Sequence, residues 1–299
     1  MLRKNILKLS VVFCLLAACL WIYLPSSYAE DSHALPMLRM GVGARGLAMG
    51  GAYVAAVGDA SASIWNPAGL ADIEYINLTS MYSAEMAFDR SLNYFGFGMK
   101  FDWGALGISW LNSGMKDLVG YNSGDVSTGL FDYMTNVFVF SYANKAEKLG
   151  AGASFKVITE KIDEESKTGV GLDLGLKLQA NEIVTLGVAV KDLGTKVWGK
   201  SVPTNIRAGV ALCPMNGFVF PLDIVKIVDR DGVTFHLGGE YKYEFTKNYF
   251  ASVRAGVSDE KFSIGCGFTI SKVDIDYSFV TETEEFLGEN HRISLSVNF

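Results

Sequence analysis

Residues 169–178 read GVGLDLGLKL, and this stretch decides the fold class. Its apolar side chains occupy every second position and alternate with Gly, Asp and Lys. A period of two places neighbouring side chains on opposite faces of a β-strand. The stretch therefore predicts a strand with one apolar face, which is formed by Val170, Leu172, Leu174, Leu176 and Leu178.

The same alternation recurs from about residue 75 to the end of the chain, for example in residues 262–270 and 273–279. It predicts about fourteen strands, because turn residues interrupt the pattern about every sixteen positions. This spacing leaves room in each repeat for the 9–11 residues that cross a bilayer. We therefore expect an all-β fold, a transmembrane antiparallel β-barrel over residues 75–299. The strands are centred near residues 80, 96, 108, 139, 153, 174, 187, 208, 221, 238, 253, 266, 276 and 294.

The connections favour a membrane barrel over a soluble β-sandwich, the alternative that a period of two leaves open. Outer-membrane barrels alternate short periplasmic turns with longer external loops. Residues 102–104 and 271–272 are typical of the short turns, whereas residues 112–134, 159–167, 192–202 and 281–290 are predicted as long external pieces.

The longest of these pieces, residues 112–134, is predicted as an external apolar loop. An exposed apolar loop is costly unless it meets something apolar. It could fold back over the barrel mouth, form an entry groove for a hydrophobic molecule, or dock another protein. The residues that make it apolar include Leu118, Val119, Tyr121, Phe131 and Tyr133.

Composition excludes several other classes of function. Apolar residues make up 49% of the chain, charged residues 19%, and the net charge is −6 with no basic cluster, so nucleic acid is not an expected partner. The histidines His33, His236 and His291 show no metal-ligand spacing, and no catalytic arrangement of Ser, His and Asp is recognisable. We expect no enzyme activity, no cofactor and no metal site.

The first 29 residues are typical of an export signal peptide. Basic residues precede an apolar run, and Ser27 and Ala29 are small residues at the −3 and −1 positions of a cleavage site. Two alternatives stay open: acylation at Cys19, which ends a lipobox-like sequence, and retention of the segment as an uncleaved anchor.

Residues 30–74 break the alternation and are rich in Gly and Ala, so their backbone can pack closely against other structure. They contain too few bulky apolar residues for a separate core and are predicted to form a plug, or hatch, inside the barrel. A dinucleotide-binding loop is a weaker interpretation, because no βαβ unit follows. The expected plug residues are Gly41, Gly43, Arg45, Gly50, Gly51, Asn66, Pro67 and Ala68.

If the aliphatic faces of the strands contact lipid, charged residues of both signs face the lumen. They predict either a charge-paired interior that holds the plug, since buried charges need partners, or a polar conduit for small solutes. The luminal residues are Lys156, Asp173, Lys177, Lys191, Arg207, Glu240, Lys242, Arg254, Asp274, Asp276 and Arg292.

The run from Gly41 to Leu70 contains GARGLAMGGA and WNPAGL and closely resembles the N-terminal segment of PorV/PorQ-type outer-membrane proteins. These belong to the superfamily of the long-chain fatty-acid transporter FadL, in which an Asn-Pro-Ala turn lies in the N-terminal hatch. The resemblance implies passive uptake of hydrophobic molecules in the outer membrane of a Gram-negative-type bacterium. It alternatively implies an accessory role in type IX-like protein secretion, with cargo or translocon as partner. The last strand ends in Phe299 and resembles the signal that the outer-membrane assembly machinery recognises.

Overall fold

The computed structural model of the chain describes residues 35–86, 90–259, 261–281 and 290–299. The predicted signal peptide, with the alternative of acylation at Cys19, lies outside the described residues. So does most of the predicted external segment 281–290.

The described chain forms one antiparallel sheet in which each strand pairs with its neighbours in sequence, apart from the two-residue strand β8. Strand β6 pairs with both β5 and β7, and β1 pairs with β15, so the sheet closes on itself. Without β8, the closed barrel has the predicted fourteen strands. The strands are β1 (Ile76–Met86), β2 (Arg90–Phe101), β3 (Gly104–Tyr121), β4 (Ser127–Ala146), β5 (Leu149–Ile162), β6 (Glu165–Gln179), β7 (Val184–Val197), β8 (Lys200–Ser201), β9 (Asn205–Leu212), β10 (Phe218–Ile227), β11 (Thr234–Thr246), β12 (Tyr249–Ser258), β13 (Lys261–Ile270), β14 (Val273–Val280) and β15 (Asn290–Asn298).

The two faces of the barrel wall differ as the alternation predicts. On β6, Leu172 and Leu174 are about half exposed, whereas Asp173 between them is completely buried. The exposed face is therefore the outer surface of the barrel, and the buried face lines the interior. Strands β10 and β11 carry a row of contacting aromatic rings on the outer surface, typical of a membrane interface: Phe218, Phe220, Tyr241, Tyr243 and Phe245.

The barrel has two unlike ends. The end at which β1 begins and β15 finishes carries short turns such as residues 102–103 and 271–272, and we call it the terminal end. The opposite, distal end carries the β3–β4 hairpin, whose strands of 18 and 20 residues are the longest in the sheet. Strands β9 and β14, with 8 residues each, are much shorter.

The predicted external loop over residues 112–134 is wrong in its conformation. Strand β3 continues to Tyr121 and β4 begins at Ser127, so residues 122–126 alone form the connection. Glycines and polar residues hide the alternation here, and a register shift between Met115 and Leu118 moves it out of phase. The residues Leu118, Val119, Tyr121, Phe131 and Tyr133 therefore belong to paired strands. Residues 159–167 and 192–202 are likewise mostly strand.

Residues 35–73 form an interior segment that precedes β1. Its short helices are a 3₁₀-helix at Pro36–Arg39, α-helices at Ala44–Ala48 and Ala62–Trp65, and a 3₁₀-helix at Pro67–Asp72. None of the helices in the described ranges combines the length and the apolar character that crossing a bilayer requires. Most side chains of the segment are buried, and they contact inward-facing residues of strands around the barrel.

Candidate functional site: the barrel interior

Asp223 on β10 is a buried carboxylate with three contacts to one of its oxygens. Its Oδ2 accepts hydrogen bonds from the backbone N–H groups of Tyr53 at 2.9 Å and Val54 at 3.0 Å. It also lies 3.3 Å from Nη1 of Arg207, which donates to the carbonyl of Gly51 as well. Because Asp223 is completely buried, these contacts replace the hydration of its Oδ2 and fix the middle of the interior segment to the wall.

A second set of charges runs from the interior segment across three strands. Arg45 donates to both carboxylate oxygens of Glu240 on β11, at 2.9 and 2.6 Å. Glu240 also accepts from Arg254 on β12, which donates in turn to Asp276 on β14 at 2.7 Å. The pKa of Arg45 is raised well above its usual value, chiefly by the charge of Glu240. The alternating charges therefore hold the helix Ala44–Ala48 in place.

Lys156 on β5 pairs with two aspartates, Asp173 on β6 at 2.8 Å and Asp192 on β7. Asp192 adopts a positive φ of 63°, and the pairing of β6 with β7 shifts register twice in this region. Such bulges re-aim side chains, which explains how Asp192 reaches a lysine two strands away. Nearby, Lys191 donates to the carbonyl of Leu38 at 3.4 Å.

The Asn66-Pro67-Ala68 turn lies against β5 and β6, the strands that also carry Lys156 and Asp173. The side-chain amide of Asn66 donates to the carbonyls of Val54 at 2.8 Å and Leu176 at 3.1 Å, and its oxygen accepts from the N–H of Ala68. A β-carbon on Gly152 would come within 2.5 Å of the backbone of Pro67. Glycine in the wall is therefore what allows the turn to approach it.

The last turn of the interior segment is tied to the terminal end of the barrel. Asp72 pairs with Lys145 on β4 at 2.7 Å and with Lys177 on β6 at 2.9 Å. Burial raises the pKa of Asp72, but the two ammonium groups more than offset this and lower it below its usual value. Both partners are on the long-stranded side of the barrel.

The remaining expected plug residues have mainly conformational roles. Gly41, Gly43, Gly50 and Gly51 all have φ between 68° and 81°, where a side chain is strained. At Gly41 a β-carbon would also lie 2.5 Å from the ring of Trp65. The interior segment therefore needs glycine at these positions for its path.

All the predicted luminal charges lie on the inward side of the wall, although Lys177, Lys242 and Asp274 are only partly buried. Most of them meet charges, while Asp274 accepts from Thr269 at 2.5 Å and Arg292 donates to Ser83 at 3.1 Å. Sequence reasoning missed Asp192, Asp223 and Glu160, which are buried as well. Within the described ranges, no three His, Cys, Asp or Glu residues are grouped to hold a metal ion.

A cavity of about 240 Å³ lies at the distal end between the interior segment and the wall. Trp65 and Leu47 contribute an apolar side to it, and Arg39, Arg207 and Arg292 contribute charge. The Trp65 ring is held edge-on by Tyr53 and donates its indole N–H to the carbonyl of Val42 at 2.8 Å. The cavity wall is therefore rigid on its aromatic side.

Outside this cavity, the apolar residues of the β3–β4 hairpin split by exposure. Val119 and Tyr121 on β3 are half or more exposed, whereas Leu118, Phe131 and Tyr133 are partly covered. Tyr133 donates to the carboxylate of Glu160 at 2.6 Å. The hairpin thus presents apolar groups at the distal end without folding back as a loop.

No protein-family model matches the chain, and no curated protein matches it in sequence. Solved structures match its fold. The toluene transporter TbuX of Ralstonia pickettii superposes with a TM-score of 0.66 at 14% identity, over 87% of this chain and 98% of that one. The Pseudomonas putida toluene transporter TodX gives a TM-score of 0.62 at 12% identity, over 90% and 98% of the two chains.

A FadL homologue from Pseudomonas aeruginosa also matches, with a TM-score of 0.56 at 11% identity over 83% of this chain and 96% of that one. These matches give no support to the secretion role that the PorV/PorQ resemblance also implied, and they do not test that resemblance itself. Identities this low establish the fold alone. The chain has the fold of the FadL-type outer-membrane transport barrels.

Proposed function

We propose that the protein is an outer-membrane channel for passive uptake of small hydrophobic molecules, and that residues 35–73 are its plug. The likeness to toluene transporters and to a FadL homologue supports this class of cargo. The lipid-facing apolar surface of the wall supports a membrane location. A leader cleaved after residue 29 would export the chain.

The observation that carries the proposal is how the luminal charges are used. Asp223, Glu240 and Lys177 are all bonded to the interior segment rather than facing open water. A diffusion pore for polar solutes needs a water-filled lumen lined by such groups. An interior filled in this way suits a slow passage that admits selected molecules past a plug.

A route for a hydrophobic molecule can be assembled from three features. Exposed apolar groups on the β3–β4 hairpin, such as Val119 and Tyr121, would capture it at the distal end. The distal cavity beside Trp65 would receive it next. The two register shifts in β7 near Asp192 weaken the wall pairing and mark the place where lateral release into the membrane is easiest.

Uptake of labelled toluene tests the proposal. Cells that express the wild type should accumulate it faster than a null strain, while single-channel conductance in planar bilayers stays near zero. Deletion of residues 41–70 should raise conductance to a measurable level, because the ion pairs that hold the plug are gone. Equal toluene accumulation in the two strains would contradict the uptake role, and lost protein export with unchanged uptake would favour secretion.

Membrane location and assembly are tested separately. A folded barrel should migrate differently in unheated and boiled samples on a detergent gel, and recovery as a soluble periplasmic protein would contradict the proposal. Phe299 donates its backbone N–H to Ile76 at 3.0 Å and leaves its ring half exposed, so it is available as an assembly signal. Its deletion should lower folded yield while export continues, and an unchanged yield would remove that role.

A further inference from the structure

A second cavity lies at the terminal end of the barrel, and we call it the terminal cavity. Its volume is about 240 Å³, and it lies between the last turn of the interior segment and the ends of strands β4 to β7. Of the described residues that line it, Lys145, Lys148 and Lys177 are basic and Asp72 is acidic. Three ammonium groups and one carboxylate give the lining a net charge of +2, which uptake of neutral hydrocarbons does not require.

The protein uses only part of the hydrogen-bonding capacity of these lysines. Lys145 donates to Asp72 at 2.7 Å, and Lys177 donates to the other carboxylate oxygen at 2.9 Å and to the carbonyl of Val57. The side chain of Lys148 is exposed and has no hydrogen bond or ion pair with another described residue. An ammonium group has three N–H donors. Two donors of Lys145, one of Lys177 and all three of Lys148 are therefore left for a ligand.

The carboxylate of Asp72 shows how this lining holds an anion. Its two oxygens bind ammonium groups from two different strands, Lys145 on β4 and Lys177 on β6. The hydroxyl of Thr185 and the side-chain amide of Gln179 add uncharged donors to the same lining. Lysines act as point charges toward phosphate, and hydroxyl groups can complete the set of donors.

The position of the terminal cavity favours a soluble ligand over a membrane lipid. Lys145 and Lys177 lie on the inward-facing rows of β4 and β6, so the cavity opens into the barrel and not toward its outer surface. The adjoining turns carry two further carboxylates, Glu147 and Glu182, but both are exposed and neither lines the cavity. The positive charge of the lining is therefore available to an ion that enters from the terminal side.

We propose that the terminal cavity binds a doubly charged phosphate group, such as that of a phosphate monoester, between Lys145, Lys148 and Lys177. Two negative charges match the net charge of the lining, and a cavity of about 240 Å³ has room for the phosphate and a small organic group. Asp72 shares two of the three lysines and so competes with the phosphate for them. The site lies apart from the route proposed for hydrophobic molecules and does not depend on it.

Calorimetric titration of the full mature chain, refolded in detergent at low ionic strength, tests the site. Methyl phosphate is the probe at about pH 8, because a phosphate monoester has a second pKa of about 6 and is then doubly charged. Dimethyl phosphate is the matched control, since it keeps the phosphate but carries a single charge. We expect methyl phosphate to bind about tenfold more tightly. Equal affinities, or no measurable binding of methyl phosphate, would contradict the proposal.

Two variants should change the affinity in opposite directions. Lys148→Gln should weaken methyl phosphate binding about fivefold, because it removes one of the three positive charges. Asp72→Asn should instead tighten binding about fivefold, because it removes the competing carboxylate and leaves both of its lysines available. If Asp72 only positioned the lysines, the same variant would bind more weakly. Weaker binding in Asp72→Asn, or unchanged binding in Lys148→Gln, would overturn the proposal.

Two control variants separate the cavity from the general charge of the terminal end. Lys272→Gln removes an exposed lysine from the turn between β13 and β14, and Asp274→Asn removes a luminal carboxylate that does not line the cavity. Both should bind methyl phosphate like the wild type, and a change as large as that in Lys148→Gln or Asp72→Asn would contradict a local site. Heat modifiability on a gel confirms that each variant is folded.

The outcome is independent of the proposed uptake function. If methyl phosphate binds as expected but cells take up no toluene, the phosphate site stands and the uptake role is wrong. If cells take up toluene but methyl phosphate binds no better than dimethyl phosphate, the uptake role stands and the phosphate site is wrong.

Discussion

The two halves of the interior segment are held by different forces. Residues 35–57, the charged half, attach to strands β9–β14 through buried charges, above all Asp223 and Glu240. Residues 58–73, the close-packed half, attach to strands β1–β6 mainly through neutral hydrogen bonds, as at Asn66. Close approach over wall glycines occurs in both halves, at Gly152 beside Pro67 and at Gly256 beside Gly50. The ion pairs of the close-packed half lie at the terminal end of the barrel, around Asp72.

The contrast follows from how each half meets the wall. The ion pairs of the close-packed half are confined to Asp72, and its other contacts with the wall are neutral. The charged half borders the distal cavity, and directional charge-assisted bonds can fix it where packing is incomplete. Removing one member of such a network leaves an uncompensated buried charge. The charged half should therefore be the more sensitive to single substitutions.

The largest effect is expected for Asp223→Ala. The change leaves Arg207 without its carboxylate partner and removes the acceptor of two backbone N–H groups. Breaking a buried pair in this way costs about 3–5 kcal/mol. Denaturant unfolding of the detergent-refolded barrel measures the loss. Asp274→Asn is the control, because Asp274 is a luminal carboxylate that is less buried than Asp223. An equal loss of unfolding free energy in both variants would contradict the greater sensitivity of the charged half.

A smaller effect is expected for Gly152→Val in the close-packed half. The new side chain overlaps the backbone at Pro67 and should push the turn away, which costs about 1–3 kcal/mol and raises bilayer conductance. Gly239→Val is the matched control, because a β-carbon there meets the Phe220 ring at an ordinary 3.6 Å. Unchanged stability and conductance in Gly152→Val would show that the turn does not depend on close approach.

The smallest effect is expected for Asp72→Asn, about 0–1 kcal/mol, since the lysine pairs are partly open to solvent. The pKa of Asp72 is lowered on folding, so its contribution is present above the unfolded value of about 4 and is lost as pH falls through the folded value. Unfolding free energies of the two proteins should thus differ at pH 7 and converge as the pH falls below about 4 through the folded pKa of Asp72. A constant difference across this range would contradict the assignment.

The sequence predicts the strands of the wall better than the contacts that their inward side chains make. Period two locates the long strands and most of the inward charges, because burial on one face imposes it directly. Asp223 was missed although it alternates with Leu222 and Ile224 and carries the same signal. Asp192 could not be found in this way, because two bulges break the period where it turns inward. The partners of each charge depend on strand tilt and closure, which no local pattern encodes.

The length of β4 has a consequence for the surface of the cell. Its 20 residues are about twice the 9–11 that cross a bilayer, so in the proposed outer-membrane barrel the β3–β4 hairpin would extend beyond the lipid on the distal side. The turn at residues 122–126 is the tip of this projection and lies far from Asp223 and Asn66. A short epitope inserted there would be readable by antibody on intact cells, which makes the hairpin a marker of orientation that leaves the interior untouched.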